Sequence, residues 1–278
     1  MEVHAFDLRQ PIAEATIVAL KMLLAEQGVL VFRSQNDLTE QQQIAFTHVF
    51  GETQGHPLPG IGGVNPDSNA SDQVFYLTNA VDGYVTKGAG HQKHRRQPTG
   101  IKEKNPSISP GDGELAWHSD LQYMPEPQVY SVLYAIEVPK EGGDTEWCNM
   151  SAAYAALDEA TKQTIDGLRS VNWLTRRLAP VTHPVVRLHP LTGAPALYAS
   201  PGLSRYIEGW DEREGRELIE KLAAHATRPE FCYRHTWQSG DVIMWDNRVT
   251  MHRRHSFDLA QRRIVRRTQT IGEAVVAA

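Results

Sequence analysis

The sequence predicts a mostly β fold with peripheral helices, a β-sandwich or jelly roll. Three observations carry that expectation. Beyond Trp117 the chain is rich in short stretches with strand periodicity, helical stretches are inserted between them, and no repeat, low-complexity tract or linker interrupts the 278 residues. That length suffices for one large β domain or two small ones, with a core that needs no external staples.

The N-terminal fifty residues read as helix, strand, helix. From Pro11 to Gln27 apolar residues recur at Ile17, Leu20, Leu23 and Leu24, with Pro11 suited to a first turn and Gly28 to a C-terminal stop. Gly28-Val29-Leu30-Val31-Phe32 is then a short buried strand. Thr39 with Gln42 three residues later reads as a capping box, opening a helix that stops by Gly51. From His56 to Gly113 the pattern loosens, broken by one strand at Val74–Thr78. The basic cluster His91, Lys93, His94, Arg95 and Arg96 falls in this stretch, which reads as a lid or binding loop, or as a solvated charge run.

After Trp117, Tyr130 to Val138 alternates as a half-buried strand does. One helical stretch runs from Ser151 to Leu168, and a second opens at Asp211 and ends near Ala226. Further strands are expected at Pro184–Leu188, Glu230–Trp237, Asp241–Trp245 and Arg263–Thr270, with Ser239-Gly240 as a hairpin turn.

Charge and cysteine content narrow the function classes. Lys plus Arg (28) against Asp plus Glu (33) leaves a net charge of −5, which gives no bulk attraction to nucleic acid or to an anionic membrane. No apolar run approaches the roughly 20 residues of a membrane span, and the first residues carry no basic segment leading into an apolar one. Cys148 and Cys232 read as packing thiols rather than a disulfide framework. A cytoplasmic protein with a small-molecule partner is the expectation.

The chemistry concentrates at His118-Ser119-Asp120. A bare His-x-Asp is close to what chance scatters into a chain with 12 histidines, so its weight comes from context. Residues i and i+2 of a strand point the same way, so His118 and Asp120 can project from one face. His252, after a hydrophobic strand and an Asp246-Asn247-Arg248 turn, is the candidate third ligand. Two imidazoles and one carboxylate hold a divalent metal on one face and leave the other open. With iron(II) the arrangement suits a 2-oxo acid and dioxygen; with zinc it could activate water for hydrolysis.

The segment Arg263-Ile264-Val265-Arg266-Arg267 bears on that choice. Positions 263 and 267 share a strand face, and an inward guanidinium needs an anionic ligand or a buried acid. By itself the segment, with Arg262 before it, favours an exposed edge strand whose four arginines are solvated. Other residues read as structural: Trp245 as packing, His183, His189, His235 and His255 as core or surface histidines, and Arg248 as a brace for the turn before His252.

Taken together these residues resemble the TauD/TfdA group of iron(II)- and 2-oxoglutarate-dependent dioxygenases. The resemblance runs from Phe6-Asp7-Leu8 through Gly28–Phe32 and Phe50-Gly51-Glu52 to the last strand. Its motifs are Trp117-His118-Ser119-Asp120, Gly142-Gly143-Asp144-Thr145, His183-Pro184-Val185-Val186-Arg187, Trp245-Asp246-Asn247-Arg248 with His252, and Arg263 with Arg267.

The resemblance implies a double-stranded β-helix, a cupin-like jelly roll, as a single domain over 1–278 with a variable active-site loop around 80–113. It implies His118, Asp120 and His252 as iron ligands, and Arg263 with Thr145 on the far carboxylate of 2-oxoglutarate. It implies Arg267 and His56 as substrate contacts, and Arg95, with Lys93 and Arg96, in a loop over the site. The activity implied is hydroxylation of a small anionic substrate, of aryloxyalkanoate, sulfonate or carboxylate type, using Fe(II), 2-oxoglutarate and O2 and releasing succinate and CO2. A neutral or secondary-metabolite substrate, and a non-catalytic metal-binding jelly roll, are the alternatives. A homodimer or homotetramer is the corresponding assembly.

Overall fold

The computed structural model describes residues 1–57, 63–64, 73–80, 85–86, 114–175 and 178–278. Most of the loop expected at 80–113, with Lys93, Arg95 and Arg96, lies outside the described residues. Strand β1 (Glu2–Val3) precedes helix α1 (Glu14–Gln27) and strand β2 (Val29–Phe32). Gly28 ends α1 at φ 78°, its amide donating to the Leu24 carbonyl at 2.8 Å. A Cβ there would meet the Thr250 methyl at 2.6 Å, so a small residue is needed where the helix end abuts the His252 strand. Helix α2 (Glu40–His48) carries the expected capping box, with both the Thr39 and Gln42 side chains engaged. Short strands β3 (Gly63–Val64), β4 (Phe75–Thr78) and β5 (Val85–Thr86) follow.

Strands β6 (Leu115–His118), β7 (Tyr130–Glu137) and β8 (Thr145–Asn149) lead into helices α3 (Met150–Ala155) and α4 (Glu159–Ile165). The single helix expected over 151–168 is therefore two. Asp158 adopts an extended backbone and caps α4 by accepting from the Thr161 amide, so the chain restarts there. Strands β9 (Arg169–Asn172), β10 (Val181–Pro184), β11 (Val186–Leu188), β12 (Pro195–Leu197) and β13 (Ser204–Ile207) form two small sheets, β10-β9-β13 and β11-β12. The strand expected over 184–188 is split at Val185 between them. Helix α5 (Glu212–Ala226) opens on Asp211, which accepts from the Arg213 and Glu214 amides.

The last strands are β14 (Cys232–His235), β15 (Val242–Asp246), β16 (Thr250–Arg254) and β17 (Ile264–Gln269). One sheet runs β1-β2-β15-β7-β17-β4-β3-β5 and a second runs β14-β8-β16-β6. Ser239-Gly240 does not close a hairpin. β14 pairs with β8 and β15 pairs with β2 and β7, so the turn carries the chain from one sheet to the other.

Side-chain alternation separates two apolar layers. Leu30, Phe32, Val132, Tyr134, Val242 and Met244 face α1 and α2, while Val31, Leu133, Ala135, Ile243, Trp245 and Val265 pack with Trp147 of the second sheet. The half-buried strand expected at Tyr130–Val138 is thus buried on both faces for most of its length, because helices cover the side expected to meet water. Cys148 and Cys232 are not free packing thiols. They are paired as a disulfide, because the β8–β14 register places them directly opposite, with Cα atoms 4.2 Å apart. Among the described residues no helix is long and apolar enough to cross a membrane.

Candidate active site

His118 ends β6 and His252 occupies the middle of β16, and the antiparallel register sets them directly opposite. Asp120 is not on the strand, as the i, i+2 argument supposed. It lies in the turn that follows, where Leu121 takes φ 52°. Its aim comes from tertiary partners. The Asp120 amide donates to Asn247 Oδ1 at 3.3 Å, and the Ser119 hydroxyl donates to the Asn247 carbonyl at 2.9 Å. Asn247 is itself held, since Trp245 Nε1 donates to the same Oδ1 at 2.9 Å.

The three side chains converge. His118 Nε2 and His252 Nε2 each lie 3.8 Å from Asp120 Oδ1, and one ligand atom from each residue falls within 4.8 Å of the others. His118 Nδ1 is 2.7 Å from the Ala116 carbonyl. That bond requires a proton on Nδ1 and leaves Nε2 with a lone pair facing its neighbours. Burial pushes the His252 imidazole down to about 3, with His118 adding, and burial lowers His118 too. Both rings are neutral, as metal ligands must be. Burial opposes ionisation of Asp120, but the Arg267 guanidinium overrides it and holds the carboxyl well below the usual carboxylate range. Two neutral imidazoles and an ionised carboxylate on one face suit iron(II) with open positions.

Arg267 grips Asp120 with a two-pronged fork, Nη2 to Oδ2 at 2.8 Å and Nη1 to Oδ1 at 3.2 Å. Ser131 adds a hydroxyl donated to Oδ2 at 2.9 Å. The Arg267 guanidinium also lies over Phe75 and Trp245, 5.4 and 5.6 Å from their ring centres.

A cavity of about 110 Å³ opens beside the triad. Thr145, Arg263, Arg267 and His56 all line it, as do apolar walls from Leu121, Leu174 and Leu203. Arg263 is buried, and its Nε has no hydrogen-bond partner among the described residues. Burial, with the charge of Arg254 adding, pulls its guanidinium below the ordinary arginine value. An isolated buried cation of this kind calls for an anionic ligand. His56 sits edge-on to Phe75, with its Nε2 3.5 Å from the Tyr123 hydroxyl. Arg95 falls outside the described residues.

The edge-strand reading of the four arginines at 262, 263, 266 and 267 fails for three of them. Arg263, Arg266 and Arg267 are buried, because β17 lies inside its sheet between β7 and β4. Arg248 braces its turn as expected, forking onto Asp246 at 2.6 and 2.8 Å, and His189 contacts the same carboxylate at 3.1 Å. Sequence reasoning missed Ser131, Arg254 and Trp237, and took Asn247 only as turn. Arg254 was accessible to it, lying two residues beyond His252 on the same face. Ser131 and Trp237 carry no local signal.

A buried two-histidine, one-carboxylate face beside an anion-seeking arginine defines a non-haem metal oxygenase type of site. The profile of the family described as "Taurine catabolism dioxygenase TauD, TfdA family" matches residues 2–269, and the chain belongs to that family. It is 35% identical to the alpha-ketoglutarate-dependent 2,4-dichlorophenoxyacetate dioxygenase of Cupriavidus pinatubonensis, an alignment covering 99% of this chain and 95% of that protein. The crystal structure of a taurine dioxygenase from Burkholderia xenovorans superposes with a TM-score of 0.79 at 32% identity, covering 99% of this chain and 87% of that one. The crystal structure of AAD-2 in complex with Mn(II) and N-oxalylglycine gives a TM-score of 0.77 at 30% identity, covering 99% and 94%.

Proposed function

We propose that this protein is an iron(II)- and 2-oxoglutarate-dependent dioxygenase that hydroxylates a small anionic organic acid, with succinate and CO2 as co-products. One observation carries the reading: the face formed by His118, Asp120 and His252 shares a single cavity with the buried guanidinium of Arg263, whose Nε has no partner among the described residues. A hydrolytic zinc site has no use for that second feature. The fold is read as a double-stranded β-helix of one domain, with the two facing sheets supporting it, and the location as cytoplasmic.

Each residue then has a task. His118, Asp120 and His252 would hold iron(II). Bound iron supplies the coupling of dioxygen reduction to oxidative decarboxylation of 2-oxoglutarate. Arg263 presents a planar fork to the distal carboxylate of the co-substrate, and Thr145 donates its hydroxyl to the same group. Leu121, Leu174 and Leu203 keep the cavity apolar, which strengthens both charge contacts and excludes bulk water. Arg267 and His56 face the primary substrate.

The substrate class follows from Arg267 and the apolar walls together. An aryloxyalkanoate such as 2,4-dichlorophenoxyacetate, the compound named for the Cupriavidus relative, offers an apolar body and one carboxylate. Succinate release under air should be screened across aryloxyalkanoates, alkyl sulfonates, sulfate esters and neutral analogues. Turnover of the anions supports the reading; turnover of neutral compounds alone overturns the substrate class. Anaerobic addition of iron(II) and 2-oxoglutarate should produce a weak visible charge-transfer band, and its absence in folded, iron-loaded protein would sink the reaction class.

A further inference from the structure

Thr145 opens β8 and lines the cavity, and behind it the indole Nε1 of Trp237 donates to its Oγ1 at 3.0 Å. A threonine hydroxyl has one proton and two lone pairs, whereas an indole N–H can only donate. The Trp237 bond therefore fixes Oγ1 as an acceptor on that side and leaves its proton to point elsewhere. Among the described residues no acceptor takes that proton. The open direction is the cavity, which also holds the Arg263 guanidinium.

Trp237 is not itself at the cavity wall. It is buried with Trp147 and Trp245 between the two sheets, on the segment that crosses from β14 to β15. Its ring is fixed from behind by His235, edge-on with centroids 4.9 Å apart. His235 is in turn set by Asp241, Nε2 to Oδ2 at 2.9 Å, and Asp241 is clamped by Arg33 at 2.6 Å and by the Gln238 amide at 2.8 Å. The indole N–H thus has one direction to point.

We infer that Trp237 is a positioning residue for 2-oxoglutarate: by occupying the acceptor side of Thr145, it turns the hydroxyl into a donor aimed at the co-substrate's distal carboxylate. The inference rests on the reading of Thr145 and Arg263 as the seat of that carboxylate.

Trp237→Phe keeps an aromatic ring in the cluster while removing the indole N–H together with the five-membered ring that carries it. It should raise the KM for 2-oxoglutarate about 3- to 10-fold, the loss of one neutral hydrogen bond, while leaving kcat, iron affinity and the KM of the primary substrate in place. Thr145→Val should raise the same KM, and Trp237→Phe should add nothing further in that background. A wild-type KM in Trp237→Phe, or full additivity with Thr145→Val, overturns the inference. If Thr145→Val and Arg263→Ala both left the 2-oxoglutarate KM unchanged, the assignment of the carboxylate seat would be the part at fault, and the inference would fall with it.

Should Trp237→Phe not fold, the Trp237 indole resonance answers the same question in wild-type protein labelled with nitrogen-15 tryptophan and loaded with diamagnetic zinc. It should move on addition of 2-oxoglutarate, and the movement should vanish in Thr145→Val. An indole resonance indifferent to 2-oxoglutarate overturns the inference.

Discussion

His118 and His252 stand directly opposite each other across the β6–β16 pairing, their ring centroids 4.3 Å apart. Register alone thus builds two thirds of the metal face, and Asp120 completes it from a turn. Replacing any one of the three by Ala should lower oxygen-dependent succinate release by more than the roughly 100-fold that loss of a supporting residue costs. Iron titration of the same variants checks the cause. A chelator should remove activity from the wild-type protein, and iron(II) should restore it.

Arg263 is buried with no ion-pair partner among the described residues. Arg263→Ala should raise the 2-oxoglutarate requirement about 10- to 100-fold, the size of a charge-assisted contact, and spare iron affinity. The unliganded variant should also be no less stable to denaturant than wild type, since it removes an unpaired buried cation. A marked loss of stability would mean that Arg263 has a structural partner instead.

Arg267 is joined to Asp120 at 2.8 Å, so the substrate role proposed for it is combined with direct support of the triad's carboxylate. Arg267→Gln should weaken iron binding roughly 10- to 100-fold and also impair use of an anionic substrate. An effect on substrate with unchanged iron affinity would limit Arg267 to the substrate side.

Asp246 is fully buried against Arg248 and His189, and although burial opposes its ionisation the Arg248 charge holds its carboxyl below the ordinary carboxylate range. A depressed folded-state value means stability that is present above the unfolded carboxylate pKa and lost as pH falls through the folded one. Asp246→Asn should cost about 3–5 kcal/mol at neutral pH. The gap should narrow in acid, measured by denaturant unfolding across pH. A gap independent of pH would assign the cost to shape rather than charge.

The Cys148–Cys232 bridge closes a loop with a sequence separation of 84. Cys232→Ser should lower stability by about 2–4 kcal/mol under oxidising conditions. That difference should disappear once wild type is reduced. Persistence of the full difference in reductant would locate the effect in packing.

The strands at Val29–Phe32, Phe75–Thr78, Tyr130–Glu137, Val242–Asp246 and Ile264–Gln269, the two capped helices and the Gly28 stop were legible because caps and periodicity act over a few residues, whereas Thr145–Asn149 and Thr250–Arg254 gave no such signal. Three readings failed for one shared reason. The faces of Tyr130–Glu137, the burial of Arg266 and the pairing of Cys148 with Cys232 depend on what lies across a strand, and distant segments supply it. The Ser239-Gly240 turn was readable as a turn, but not as a crossing between sheets, because a turn's local chemistry does not name the partners of its flanking strands.

By itself, the sequence determined the types of the candidate site residues: the neutral and anionic donors at 118, 120 and 252, and the arginines at 263 and 267. Only the tertiary structure decided how they work. It set His118 against His252 by register, drew Asp120 into place through Asn247 and Ser131, and put Arg267 on the carboxylate. It also placed Trp237 behind Thr145. Residue type is a local property, whereas the aim of a side chain is set by hydrogen bonds and packing between strands far apart in the chain.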